Sequence, residues 1–189
     1  MTFDVIIAGF GGQGVLFAGQ LLAHAALDAG LETTWYPSYG PEMRGGTANC
    51  TVVISDEPIG SPVTERPQAA IVMNLPSLVR YEPLVRPGGV LVVNTSLIDR
   101  AVERDDIDAI AIPADDVAAE LGNPKLTNMV LLGALLARTS ALTTAQVGAT
   151  LERVLPARHH HLLGANHAAL ARGAELATEA AARDATPTA

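Results

Sequence analysis

The sequence predicts one α/β domain with a mixed, mostly parallel sheet between helical layers, a three-layer α/β/α fold with a Rossmann-like start. Three observations carry this. Val5 to Ala8 is a short apolar run rich in β-branched residues, and it enters a G-x-G-x-x-G turn at Gly9, Gly11 and Gly14. Two further runs, Ala69 to Asn74 and Val90 to Asn94, read as buried parallel strands because they are apolar almost throughout. Between the second and third expected strands there is no helix, so that pair cannot form an ordinary βαβ crossover and part of the sheet must run antiparallel.

In chain order, the first strand and its glycine turn come first. The first glycine permits the tight bend, the second lets backbone approach a ligand, and the third lets the helix lie close on the sheet. Val15 to Ala29 is apolar on nearly all sides, as a helix held between the sheet and another surface should be. Gly30 closes it. Leu31 to Tyr36 is the second strand, and Pro37 to Gly46 has too many glycines and prolines for a helix or an inner strand. Thr47 to Ser55 is the third strand, and Asp56 to Pro67 a connecting loop. Ala69 to Asn74 follows, then a short helix from Leu75 ending near Tyr81 or Leu84. Val90 to Asn94 and Ile107 to Ile112 complete the strands, with Asp115 and Asp116 as candidate caps of a helix over 117–121. Asn123 and Pro124 start a long helix running to about Thr139. Two more helices are expected, Thr144 to Leu155 and one from Asn166 onward. The domain is expected to occupy 1–183, with 184–189 a disordered tail.

Composition narrows the function. A chain of 189 residues that is 49% hydrophobic suits one domain with a substantial core. Net charge is −8, from 20 acids and 12 bases, and Lys125 is the only lysine, so no basic stripe exists to neutralise a nucleic-acid backbone. Acids cluster from Asp99 to Asp108 and at Asp115 and Asp116, which reads as a solvated face. Val5 to Leu27 carries no charge, but five glycines, two glutamines and His24 interrupt it and no basic n-region precedes it. It is therefore read as neither membrane span nor signal peptide, and the chain is expected in the cytoplasm. The single cysteine, Cys50, cannot build an iron–sulfur cluster, which needs about four thiolates, and reads as a small core residue.

The carboxyl ends of the strands form the expected binding rim: Gly9 to Gly14, Ser38 to Arg44, Asn74, and Asn94 to Ser96. Backbone N–H groups at the first helix's N-terminus would favour an anion there. NAD binding would require an acid at the carboxyl end of the second strand to hold the ribose, yet its only acid, Glu32, is at the other end. The rim has no paired carboxylates and no nucleophile with an evident base. Ser38 and Ser96 read as turn or cap residues. His159, His160 and His161 are adjacent and so point in different directions, which suits no metal geometry. Asn128 lies among apolar helical residues and must find partners, either by ordering the glycine turn or by facing a ligand.

Three segments, GFGGQG at 9–14, SYGPEMRGGTANCTVVIS at 38–55 and NPKLTNMVLLGAL at 123–135, resemble the gamma subunit, or gamma domain, of the 2-oxoacid:ferredoxin (acceptor) oxidoreductases. The resemblance covers residues 3 to 175, and the middle segment is its most specific part. It implies a complex that decarboxylates a 2-oxoacid on thiamine diphosphate with Mg, passes electrons through iron–sulfur clusters to ferredoxin, and releases an acyl-CoA. By the same resemblance, thiamine and clusters belong to partner alpha and beta subunits and a ferredoxin-like delta subunit. The gamma chain has no catalytic residue of its own; it packs on the thiamine-binding subunits and helps shape the substrate and coenzyme A entrance. The run Tyr39-Gly40-Pro41-Glu42-Met43-Arg44 is similar to that of the 2-oxoglutarate or branched-chain members. The expected ligand- or partner-facing residues are Gly9, Gly11, Gly12, Gln13, Gly14, Tyr39, Gly40, Pro41, Glu42, Met43, Arg44, Gly45, Gly46, Asn74 and Asn128. The rival reading is a stand-alone NAD(P)-dependent oxidoreductase, and a third is a purely structural module.

Overall fold

The computed structural model describes residues 1–38 and 47–184. Six strands form one sheet: β1 (Thr2–Phe10), β2 (Glu32–Ser38), β3 (Thr47–Ser55), β4 (Ala69–Val72), β5 (Val90–Asn94) and β6 (Asp108–Ile112). Their order is β2-β3-β1-β4-β5-β6. β3 runs antiparallel to both β1 and β2, whereas β1, β4, β5 and β6 are parallel. The sheet is mixed because β2 and β3 pair antiparallel, and β3, not β2, lies beside β1. The carboxyl ends of β1, β2, β4, β5 and β6 still share one rim.

Strand alternation divides the core in two. Val5, Ile7, Cys50, Val52, Ile71 and Val92 point to one side; Ile6, Ala8, Ala70, Val72, Leu91 and Val93 point to the other. The first side is thickly covered. Helix α1 (Val15–Asp28) lies on β1, β2 and β3, while α4 (Thr127–Arg138) lies on β4, β5 and β6. Around them pack α3 (Ala114–Glu120), α5 (Thr144–Val154) and α6 (Leu163–Asp184). On the second side α2 (Leu75–Tyr81), which packs on β1 and β4, is followed by a 3₁₀ turn over Glu82–Leu84.

α1 is sandwiched between sheet and α5 as its all-round apolar character requires, and Asp28 joins the two helices by accepting from Thr150 at 2.7 Å and Arg153 at 2.6 Å. α4 and α6 meet more closely than ordinary side chains allow. A Cβ on Gly133 would lie 2.0 Å from the Leu170 carbonyl oxygen, and one on Gly173 would lie 1.8 Å from that of Val130.

Several boundaries differ from the sequence reading, each for a local reason. β2 continues through Pro37 to Ser38, because it is the edge strand, where a missing N–H is tolerated. β4 ends at Val72, since Asn74 accepts from the Ser77 N–H at 2.9 Å and caps α2. Asp115 and Asp116 lie inside the first turn of α3 and do not cap it; Asn94 and Ser96 cap it instead. The histidine run sits in a 3₁₀ segment, Ala157–Leu162, so α6 starts at Leu163 and not at Asn166. The expected tail lies outside the described residues except Asp184, which ends α6. No helix among the described residues is long and apolar enough to cross a membrane.

Candidate functional site

The glycine turn joins the end of β1 to α1. Gly12 and Gly14 have φ of 92° and 77°, a left-handed geometry that glycine alone adopts without strain. The turn is held by its own side chain: Gln13 Oε1 accepts the Phe10 N–H at 2.6 Å, and the Gln13 N–H donates to the Phe10 carbonyl. Gly9 has no room for a Cβ, which would lie 2.6 Å from Gln13 Oε1 and 2.8 Å from Met73 Cβ. Gly11 and Gly12 are exposed. They line a cleft of about 260 Å³ with Phe10, Val15, Leu16 and Ala48. No side chain caps the N-terminus of α1 and no acid lies in its first turn, so its backbone N–H groups give the cleft a positive end.

Asn128 orders this turn. It is 4% exposed, at the start of α4, and its Nδ2 donates to the Gly14 carbonyl at 3.1 Å. It also lines a second cleft of about 300 Å³, which shares Phe17 with α1 and includes Lys125, Leu126, His159 and Asn166. These lining residues escaped the sequence reading, because residues from α1, α4, α6 and the 3₁₀ segments over Pro124–Leu126 and Ala157–Leu162 meet there with no spacing signal. His160 bonds the Leu155 carbonyl at 2.9 Å, and His159 Nε2 lies 3.1 Å from Arg158 Nε.

Much of the rest of the rim is closed by its own bonds, although the buried Nδ2 of Asn74 has no hydrogen-bond partner among the described residues. Asn94 Oδ1 accepts from the Ala114 N–H, and its Nδ2 donates to Asp115, whose other oxygen accepts from Thr127 at 2.6 Å. Ser96 Oγ accepts from the N–H groups of Asp115 and Asp116 and donates to the Asp116 carboxylate at 2.9 Å. Ser96 is thus a cap, and Asp115 and Asp116 serve this knot more than a solvated face. Asn74 is 1% exposed and caps α2. Tyr39, Gly40, Pro41, Glu42, Met43, Arg44, Gly45 and Gly46 lie outside the described residues. They fall between Ser38 and Thr47, the latter paired with Phe10 at the start of the glycine turn.

Redox chemistry finds no ligand set in the described residues. Cys50 is fully buried, its thiol donates to the Val15 carbonyl at 3.6 Å, and burial pushes its pKa up to about 12. Such a thiol is held neutral, and it is sealed from solvent in the core. No three His, Cys, Asp or Glu side chains among the described residues are grouped to hold a metal.

The strand order also bears on the NAD(P) reading. A dinucleotide fold places β2 next to β1, with the ribose-binding acid at its carboxyl end. Here β3 intervenes, moving that end two strand spacings, about 10 Å, from the glycine turn. Glu32 sits at the opposite end of β2.

Comparison with known proteins agrees with this geometry and gives the NAD(P) reading no support. Residues 4–176 match the family described as pyruvate ferredoxin/flavodoxin oxidoreductase. The ketoisovalerate oxidoreductase subunit VorA of Methanothermobacter marburgensis is 45% identical over 133 residues, 70% of this chain but 28% of VorA. The chain thus spans little more than a quarter of that relative. The 2-oxoglutarate synthase subunit KorC of the same organism is 36% identical over 82% of this chain and 88% of KorC. The solved keto/oxoacid ferredoxin oxidoreductase gamma subunit of Geobacter sulfurreducens superposes with a TM-score of 0.81 at 26% identity, covering 94% of this chain and 99% of that one.

Proposed function

We propose, from the premise that this chain belongs to the pyruvate ferredoxin/flavodoxin oxidoreductase family, that it is the gamma component of a 2-oxoacid:ferredoxin oxidoreductase acting on 2-oxoglutarate. The observation that carries this is the alignment with KorC, which runs along most of both chains. The complex converts the 2-oxoacid and coenzyme A to an acyl-CoA and carbon dioxide, and ferredoxin takes up the electrons. Thiamine diphosphate, Mg and the iron–sulfur clusters belong to alpha, beta and delta partners in the cytoplasm, in keeping with a chain whose one thiol is sealed in its core.

This chain's contribution is to position and to close. The glycine turn, with exposed Gly11 and Gly12 beside the positive end of α1, is an uncharged surface on which a partner's backbone or an anionic group of coenzyme A can rest. Residues 39–46 lie in sequence between Ser38 and Thr47, the latter paired with Phe10 at the end of β1, and Arg44 is proposed to supply a forked donor for a carboxylate, phosphate or carbonyl across the interface. The rigid support is internal: Gln13 and Asn128 hold the turn from either side.

A branched-chain 2-oxoacid is the second reading, favoured by the 45% identity to VorA over the matched segment. Initial rates of the purified complex with coenzyme A and ferredoxin separate the two. The 2-oxoglutarate reading expects a kcat/KM for 2-oxoglutarate above that for 2-oxoisovalerate, and the reverse order assigns the branched-chain acid.

A further inference from the structure

We infer that the second cleft is a binding site for a free α-amino acid with an apolar side chain, held by the buried amides of Asn128 and Asn166 and by Lys125.

Both asparagines are buried, at 4% and 6% exposure, and both line the cleft. Each amide has one orientation open to it. Asn128 Nδ2 meets the Gly14 carbonyl at 3.1 Å, and Asn166 Nδ2 meets the Leu162 carbonyl at 2.8 Å. A backbone carbonyl only accepts, so the nitrogen must face it and the oxygen is left over. Neither Oδ1 accepts a bond from the described residues, and neither is sealed from solvent as the unpartnered Nδ2 of Asn74 is. Two acceptors that the fold leaves unused therefore open on one cleft. Their complement is a group with more than one N–H to give, such as an ammonium.

The other polar groups of the cleft are donors. Lys125, the chain's only lysine, is exposed and makes no ion pair among the described residues. Asn123 Oδ1 accepts the Lys125 N–H at 3.1 Å, which leaves its Nδ2 to donate. Arg158 Nε only donates, so His159 Nε2 accepts it and the ring proton lies on Nδ1. No acid lines the cleft, although the chain carries 20. The donors thus match an anionic group. Asn123, Lys125 and Asn128 come from one short stretch of chain, so donors and acceptors lie close together, as an ammonium and a carboxylate on one carbon require.

The walls are apolar: Phe17, Leu126, Leu155 and Leu162. A volume of about 300 Å³ is at the lower limit for small-molecule sites, which suits one compact ligand. An apolar α-amino acid supplies the ammonium, the carboxylate and the apolar body together. A 2-oxoacid of the same shape lacks the N–H groups and would leave both asparagine oxygens unpaired. Because Asn128 gives its nitrogen to Gly14 and its oxygen to the cleft, an occupant that engages the oxygen also bears on the glycine turn.

Isothermal titration calorimetry of the full chain with L-leucine tests this. Saturable one-to-one binding is expected, with a matching rise in melting temperature. Two analogues each lack the ammonium: N-acetyl-L-leucine carries an amide in its place and 4-methyl-2-oxopentanoate a keto oxygen. Both should bind about tenfold more weakly or worse. Lys125→Met and Asn166→Ala should each weaken L-leucine by about tenfold or more, the first through the carboxylate and the second through the ammonium. Lys125 is exposed, so its variant should melt as the wild type does, and it decides the matter if Asn166→Ala is unstable. Absence of binding up to about 10 mM L-leucine overturns the proposal. So does binding of either analogue as tightly as L-leucine, because the asparagine oxygens then select nothing, and so does wild-type affinity in Lys125→Met.

Discussion

The Asn128 amide donates to the carbonyl of Gly14 at 3.1 Å, joining residues 114 positions apart and tying the start of α4 to the start of α1. Gly14 is shaped for this contact. Its φ of 77° turns the carbonyl into the helix, where it also accepts from the Ala18 N–H at 3.0 Å, and a Cβ there would lie 2.4 Å from Asn128 Nδ2. The turn's geometry is therefore set from outside as well as from its own sequence.

Removing that donor should loosen the turn without unfolding the domain. Asn128→Ala is expected to cost about 1 kcal/mol, the ordinary net value of a hydrogen bond. Gly14→Ala should cost more, because a left-handed φ and a steric overlap add. Denaturant melts of the two variants give the order directly, and equal stability would mean that the contact does not hold the turn.

The crossing of α4 and α6 makes a second prediction. Gly133→Ala and Gly173→Ala would each press a methyl group into the carbonyl of the facing helix, at separations of 2.0 and 1.8 Å. Backbone cannot yield as a side-chain tip does, so each substitution should cost about 3 kcal/mol or more, the upper range of overpacking. Chemical denaturation of the single variants checks this, and a loss below about 1 kcal/mol would show that the helices separate easily.

Cys50 gives a pH-dependent expectation. Burial raises its thiol from an ordinary 9.0 to about 12, so the folded chain keeps the proton after the unfolded chain has lost it. Stability from this group is full below pH 9 and declines as pH rises from 9 toward 12. A thiol reagent at pH 8 should label the native protein only at the rate of unfolding, and rapid stoichiometric labelling would show an accessible thiol.

Arg44, outside the described residues, is proposed to work at the boundary with partner subunits or coenzyme A. Arg44→Ala should leave the isolated chain's melting point nearly unchanged while weakening assembly or raising the apparent KM for coenzyme A. Arg44→Lys should rescue little, because an ammonium cannot reproduce a bidentate fork. Gel filtration and steady-state kinetics of the reconstituted complex decide, and wild-type behaviour of both variants would remove Arg44 from the interface.

Local signals made much of this fold legible. The apolar run before Gly9 and the extent of β5 are each written within a few neighbouring residues, and a stretch between Tyr36 and Thr47 too rich in glycine and proline for a helix is enough to require a mixed sheet. Asn123, expected to cap the long helix, caps instead a 3₁₀ turn over Pro124–Leu126, and α4 begins after it at Thr127. What could not be read depends on residues far apart in sequence. Asp115 looks like a cap until Asn94 and Ser96, about twenty positions earlier, are seen to take that role. The need for Gly133 and Gly173 arises only where two helices cross. The second cleft, between Phe17, Lys125 and His159, has no sequence signature because elements far apart in sequence build it.

The central claim, that this chain is a component of a 2-oxoacid oxidoreductase, is tested most directly by isolating it from its native host under mild conditions. The bound chains are identified, and coenzyme A-dependent reduction of ferredoxin by 2-oxoacids is measured in the same fraction. The account predicts co-purifying thiamine-binding subunits and 2-oxoacid-dependent turnover that is lost when this chain is stripped away. A chain recovered without such partners, or a complex whose full activity survives its removal, would contradict it.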